Sequence, residues 1–107
     1  MIEYKITATH GKHPIAEVRF KEEKYNPAGE MLLAERSFLT ELLQALESVL
    51  DGKEENAEFS GNAFTAYITK ETTKVANDIN GEETELPTAD FKKLTKTYKR
   101  KNDKIQH

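Results

Sequence analysis

The spacing of apolar residues takes two values along this chain of 107 residues, and each value admits one kind of regular structure. Ile2, Tyr4, Ile6 and Ala8 alternate with Glu3, Lys5 and Thr7. A two-residue repeat places the first set on one face of a strand and the second on the other. Gly11 and Pro14 punctuate a turn, after which Ala16, Val18 and Phe20 alternate with Glu17 and Arg19. The two runs read as a hairpin with one wet face. From Phe38 the spacing shifts to three and four, through Leu39, Leu42, Leu43, Leu46, Val49 and Leu50. That is an amphipathic helix, for which Ser37 is a suitable N-cap and Gly52 the left-handed residue after the end.

The two-residue repeat then returns. Phe59-Ser60-Gly61-Asn62 reads as the turn of a second hairpin, with Gly61-Asn62 supplying left-handed residues. Phe64, Ala66 and Ile68 alternate with Thr65, Tyr67 and Thr69, and Thr73, Val75, Asn77 and Ile79 form a further strand closed by Asn80-Gly81. Glu82 to Glu85 reads as an acidic connection. Thr88 caps a second helix whose stripe is Phe91, Leu94, Thr95 and Tyr98, narrow enough to touch the core along one edge. Lys21 to Glu30, with Asn26-Pro27 and Gly29, reads as a loop, whereas Met31 to Arg36 is ambiguous: Met31 and Leu33 alternate with Leu32 as in a strand or extended entry, which is the preferred reading, yet every residue there also suits a helix. The expected fold is α+β: one domain over residues 1–101, an antiparallel sheet of four to six strands, and two helices in a single layer upon it. Residues 102–107 are expected as a frayed basic tail.

Composition removes several classes of chemistry. The chain has no Cys, which excludes disulfide frameworks, thiol nucleophiles and cysteine-based zinc sites. Its 5 Gly form no phosphate-cradling motif, and Ser37, Ser48 and Ser60 with three His in loops make no nucleophile-and-base set. His10 and His13 share one turn without further metal-ligand spacing, so they read as solvated, and neither a metal nor a cofactor is expected. No catalytic residue is assigned. No apolar run approaches the roughly 18 residues that span a bilayer, and the chain opens without a signal-peptide pattern. The expectation is a cytoplasmic protein that binds no membrane.

The net charge of −3 conceals two regions of opposite sign. Residues 1–86 hold 17 acidic and 9 basic side chains, a net of −8, whereas residues 87–107 hold 2 and 7, a net of +5. Carboxylates on a surface steer a basic partner over about a Debye length of 8 to 10 Å. Glu54, Glu55, Glu58, Asp78, Glu82, Glu83 and Glu85 are therefore the candidate partner-binding residues, with exposed aromatics among Tyr25, Tyr67 and Tyr98 as anchors. The alternative is a nucleic-acid or ribonucleoprotein accessory module that uses Lys92, Lys93, Lys96, Lys99, Arg100, Lys101 and Lys104 of the last helix on phosphates. No aromatic ladder or recognition-helix pattern accompanies those cations, which makes nucleic acid the weaker partner.

The order of elements from Ser37 to Tyr98 resembles the small immunity proteins encoded beside toxins in bacterial polymorphic and contact-dependent growth inhibition systems: an amphipathic helix ending at Gly52, the Phe59-Ser60-Gly61-Asn62 turn, strands through Thr73-Lys74-Val75-Ala76-Asn77, and a closing helix. The resemblance rests on order, size and acidity, and it transfers no residue role. It implies a non-enzymatic protein that binds and neutralises a cognate toxin, often a nuclease. A nuclease needs basic residues to hold phosphate, so displayed carboxylates suit such a partner.

Overall fold

A computed structural model describes residues 2–105. Its six strands form two antiparallel sheets rather than one. Strands β1 (Tyr4–Ala8) and β2 (Ala16–Phe20) pair as a two-stranded ribbon, with Tyr4 opposite Phe20 and Ile6 opposite Val18. Strands β3 (Asn56–Ser60), β4 (Phe64–Thr69), β5 (Thr72–Asn77) and β6 (Glu83–Pro87) form a four-stranded meander in that order. Three helices accompany them: α1 (Asn26–Ala34), α2 (Leu39–Leu50) and α3 (Thr88–Ile105).

Helix α1 occupies most of the segment expected as a loop followed by a strand. Asn26-Pro27 starts the helix instead of interrupting chain order, because a proline in the first turn removes an N–H that has no intrahelical partner. Gly29 lets α1 lie close on β2, since a Cβ there would sit 3.1 Å from the Phe20 ring and 3.2 Å from Val18 Cβ. Met31 and Leu32, ambiguous in sequence, are fully buried on this helix. A 3-10 turn over Arg36–Phe38 then leads into α2, so Ser37 lies inside that turn and makes no cap. Gly52 does adopt positive φ, at +81°, just beyond α2.

The helices cover one face of the four-stranded sheet. Phe64, Ala66 and Ile68 of β4, Thr73 and Val75 of β5, and Thr84 and Leu86 of β6 point into the core with Leu42, Leu46 and Val49 of α2. Glu82 to Glu85 is not simply a connection, because Glu83–Pro87 pairs with β5 through Val75 opposite Thr84 and Thr73 opposite Leu86. Strand β5 ends at Asn77, which leaves Ile79 82% exposed in the following turn. Helices α1 and α3 also contact β2, so the ribbon is carried on the helices.

Helix α3 is more central than its narrow stripe suggests. Phe91 and Tyr98 are fully buried, and the Tyr98 hydroxyl donates to the Ala16 carbonyl at 2.8 Å, joining the last helix to β2. Burial pushes the Tyr98 phenol up to about 12, with Arg36 pulling it down and Glu17 adding to the rise. At the start of α3 the Thr88 hydroxyl donates to the Thr69 carbonyl at 2.6 Å and meets the Thr73 hydroxyl at 2.8 Å, tying the helix to β4 and β5. The helix continues through Ile105 with Asn102 buried, so residues 102–105 are helical where a tail was expected; residues 106–107, including His107, lie outside the described residues.

Candidate functional site

Two places on the β3–β4 hairpin gather carboxylate chemistry, and they differ in what surrounds the carboxylates. The first is buried. Glu35, between α1 and the 3-10 turn, is completely inaccessible to solvent. Its carboxylate accepts main-chain N–H bonds from Asn62 at 2.7 Å, Ala63 at 2.8 Å and Phe64 at 3.1 Å. Three converging donors replace the water that burial removes, which is what makes an ionised side chain tolerable inside a small domain. Gly61 is part of the same device. It does not adopt positive φ, contrary to the turn expected at Gly61-Asn62; instead, a Cβ at this position would overlap the Glu35 carboxylate. The glycine is there for space. Sequence reasoning passed over Glu35 as one more acid in a charged chain, and its only sign was a glycine in a hairpin turn that needs none for φ.

The second place is the outer face of the four-stranded sheet, away from the helices. Register sets Glu58, Tyr67, Lys74 and Glu85 in one row across the four strands. Ser60, Thr65, Ala76 and Glu83 form the next row. Tyr67 stands near the centre of this face, 42% exposed, and the Lys74 ammonium lies 5.2 Å from its ring centroid. Glu58 and Glu85 flank the row on the two edge strands, about 14 Å apart at three interstrand spacings.

The seven candidate carboxylates are all exposed and lie around this sheet, in three positions rather than one cluster. Glu58, Glu83 and Glu85 belong to the outer face. Asp78 and Glu82 sit in the turn between β5 and β6, where the Thr65 hydroxyl donates to Asp78 at 2.8 Å. Glu54 and Glu55 lie at the opposite end, between α2 and β3, beside a surface cleft lined by Val49, Gly52 and Lys70. Among the described residues only Glu83 has an ionic partner, Lys74 at 3.7 Å; the other six form no ion pair.

Of the three aromatic anchors considered, only Tyr67 is exposed. Tyr98 is in the core, and Tyr25 is half-buried with its ring centroid 5.9 Å from that of Phe20. The basic helix is partly neutralised by its own neighbours, because Lys92 pairs with Glu47 of α2 at 3.8 Å and Lys99 with Asp103 at 2.8 Å. His10 and His13 lie in the turn of the ribbon, both exposed. No group of three or more potential metal ligands occurs among the described residues, and none of its helices is long and apolar enough to cross a membrane. No family model, curated protein or solved structure matches the chain.

Proposed function

We propose that this protein acts by binding rather than by catalysis, and that it captures a basic protein partner on the acidic side of its four-stranded sheet. The observation that carries this reading is Tyr67, exposed on the helix-free face in a row with Glu58 and Glu85 of the two edge strands, neither of which forms an ion pair among the described residues. An aromatic ring anchors an interface by burying a large area at small entropic cost, while surrounding charges set encounter rate and register. In its specific form the reading is toxin neutralisation: a small immunity protein whose carboxylates meet the basic cleft of a nuclease domain. The acidity of the sheet side and the pairing of Lys92 and Lys99 within the molecule both favour a basic protein over nucleic acid.

The product of the adjacent upstream reading frame is the partner to test. Mixed with the purified protein, it is expected to co-elute in gel filtration, and co-expression is expected to protect cells from it. Absence of both a complex and protection would remove the toxin reading.

A further inference from the structure

The two edges of the four-stranded sheet are not equivalent. In an antiparallel ladder, main-chain bonds are exchanged by every second residue pair. On β3 the Gly61 N–H donates to the Phe64 carbonyl at 2.9 Å, so Phe59 with Ala66 and Ala57 with Ile68 are the bonded pairs inside the hairpin. The N–H and C=O groups of Asn56, Glu58 and Ser60 consequently face away from β4, along the free edge. On β6 the Asn77 N–H donates to the Glu82 carbonyl at 2.7 Å, so Thr84 and Leu86 bond inward and Glu83, Glu85 and Pro87 face outward. Pro87 has no N–H to offer, and β6 also contacts the 3-10 turn Glu23–Tyr25.

Burial separates the edges in the same sense. Thr84 and Leu86, the core-facing residues of β6, are 8% and 2% exposed. Their counterparts Ala57 and Phe59 on β3 are only half-buried, although both pack against the core. An added strand beside β3 would finish covering Phe59 and pair three free N–H groups. A second copy of this chain is a poor occupant. Antiparallel self-addition centred on this strand would set Glu58 opposite Glu58, and like charges directly opposed are destabilising.

We propose that β3 is an acceptor edge, to which an extended segment of the partner adds as a fifth strand, with lysine or arginine alternating with apolar residues. Its cations would face Glu58 on the wet side, with Glu54 and Glu55 at the end of the strand, and its apolar side chains would lie against Phe59. This mode of capture rests on the basic-partner reading above and specifies how the partner is held.

The test uses the full isotope-labelled chain and two synthetic heptapeptides, capped at both ends, that alternate lysine and valine. One has ordinary amides and the other is methylated on every backbone nitrogen, which keeps charge and side chains but removes the peptide's N–H donors and sets methyl groups between the strands, so that its carbonyls cannot reach the β3 N–H groups. With the ordinary peptide, amide exchange at Glu58 and Ser60 is expected to slow at least tenfold, with the methylated peptide giving no protection. Unchanged exchange at Glu58 and Ser60, or equal effects of the two peptides, would overturn strand addition. If Tyr67 and Glu85 resonances shift while Glu58 and Ser60 exchange as before, the basic-partner reading stands and the edge proposal falls. Slowed exchange at Glu58 and Ser60, with neither a complex with the upstream product nor protection of cells from it, supports the edge and removes the toxin reading.

Discussion

The β3–β4 hairpin holds one carboxylate at its turn and another along its edge, and the two do opposite work. Glu35 is buried, receives three main-chain N–H bonds and occupies the space left by Gly61. Glu58, on the edge strand of that hairpin, is exposed and forms no ion pair among the described residues. The side chains are chemically identical. What differs is whether donors converge on them: a carboxylate with its acceptor sites filled is committed to the fold, and one with them empty is free to meet a partner. Formal charge counts both alike, and so overstates what the surface can offer.

The strongest way to break this contrast is to remove the buried member. Glu35→Ala leaves three N–H groups without an acceptor, and a loss of about 3 kcal/mol or more is expected from their desolvation. That is a large share of the roughly 5 to 15 kcal/mol that stabilises a typical domain. Urea unfolding monitored by circular dichroism would measure it. A change below about 1 kcal/mol would mean that Glu35 is not the clamp of this turn. Gly61→Ala is expected to cost about 1 to 3 kcal/mol by overpacking. In the Glu35→Ala background the same change should cost much less, because the added methyl then enters vacated space. Additive effects in that double-mutant cycle would show that the two positions act independently.

The core beneath both regions has its own pH signature. The Tyr98 phenol is raised by burial to about 12 in the folded chain, against about 10 when unfolded. Between those values the folded state keeps a proton that the unfolded state has lost. Stability therefore falls as pH rises from 10 toward 12, and the contribution is fully present below 10. Tyr98→Phe should flatten that part of the stability profile while losing about 1 kcal/mol at neutral pH with the bond to Ala16. A profile identical to the parent's would contradict the assignment. Smallest in stability is Tyr67→Thr, which keeps β-branched character on the open face and should shift unfolding by about 0.5 kcal/mol or less. Its expected effect is on partner affinity, a loss of tenfold or more by calorimetry.

The sequence was most informative where periodicity and punctuation agreed. Alternation at Ile2 to Ala8 and Phe64 to Ile68, and the three-and-four spacing from Leu39 to Leu50, correspond to β1, β4 and α2. It was least informative where a residue's usual meaning was overridden by a neighbour distant in sequence. Pro27 and Gly29 look like loop residues until β2 is seen to need a close helix. Glu82 to Glu85 reads as an acidic connection because the side chains of Glu83 and Glu85 point to the open face of the sheet, leaving Thr84 and Leu86 as the only core-facing residues of β6. The single sheet of four to six strands that was expected is instead a two-stranded ribbon and a four-stranded meander, a division that depends on which strands the helices separate and that periodicity does not encode. The candidate carboxylates were legible as acids near turns. That Glu58 and Glu85 share a row with Tyr67 required the register.

The central claim is that the uncommitted carboxylates around the open sheet serve to capture a basic protein. Its most direct test is the association rate of the upstream reading frame's product with the parent chain and with a Glu58→Lys, Glu85→Lys variant, followed by stopped-flow at low and moderate salt. Steering by these groups predicts at least tenfold slower association for the variant at low salt, with the difference shrinking as salt is added. Equal rates at both salt concentrations, with the variant folded as the parent is, would contradict it.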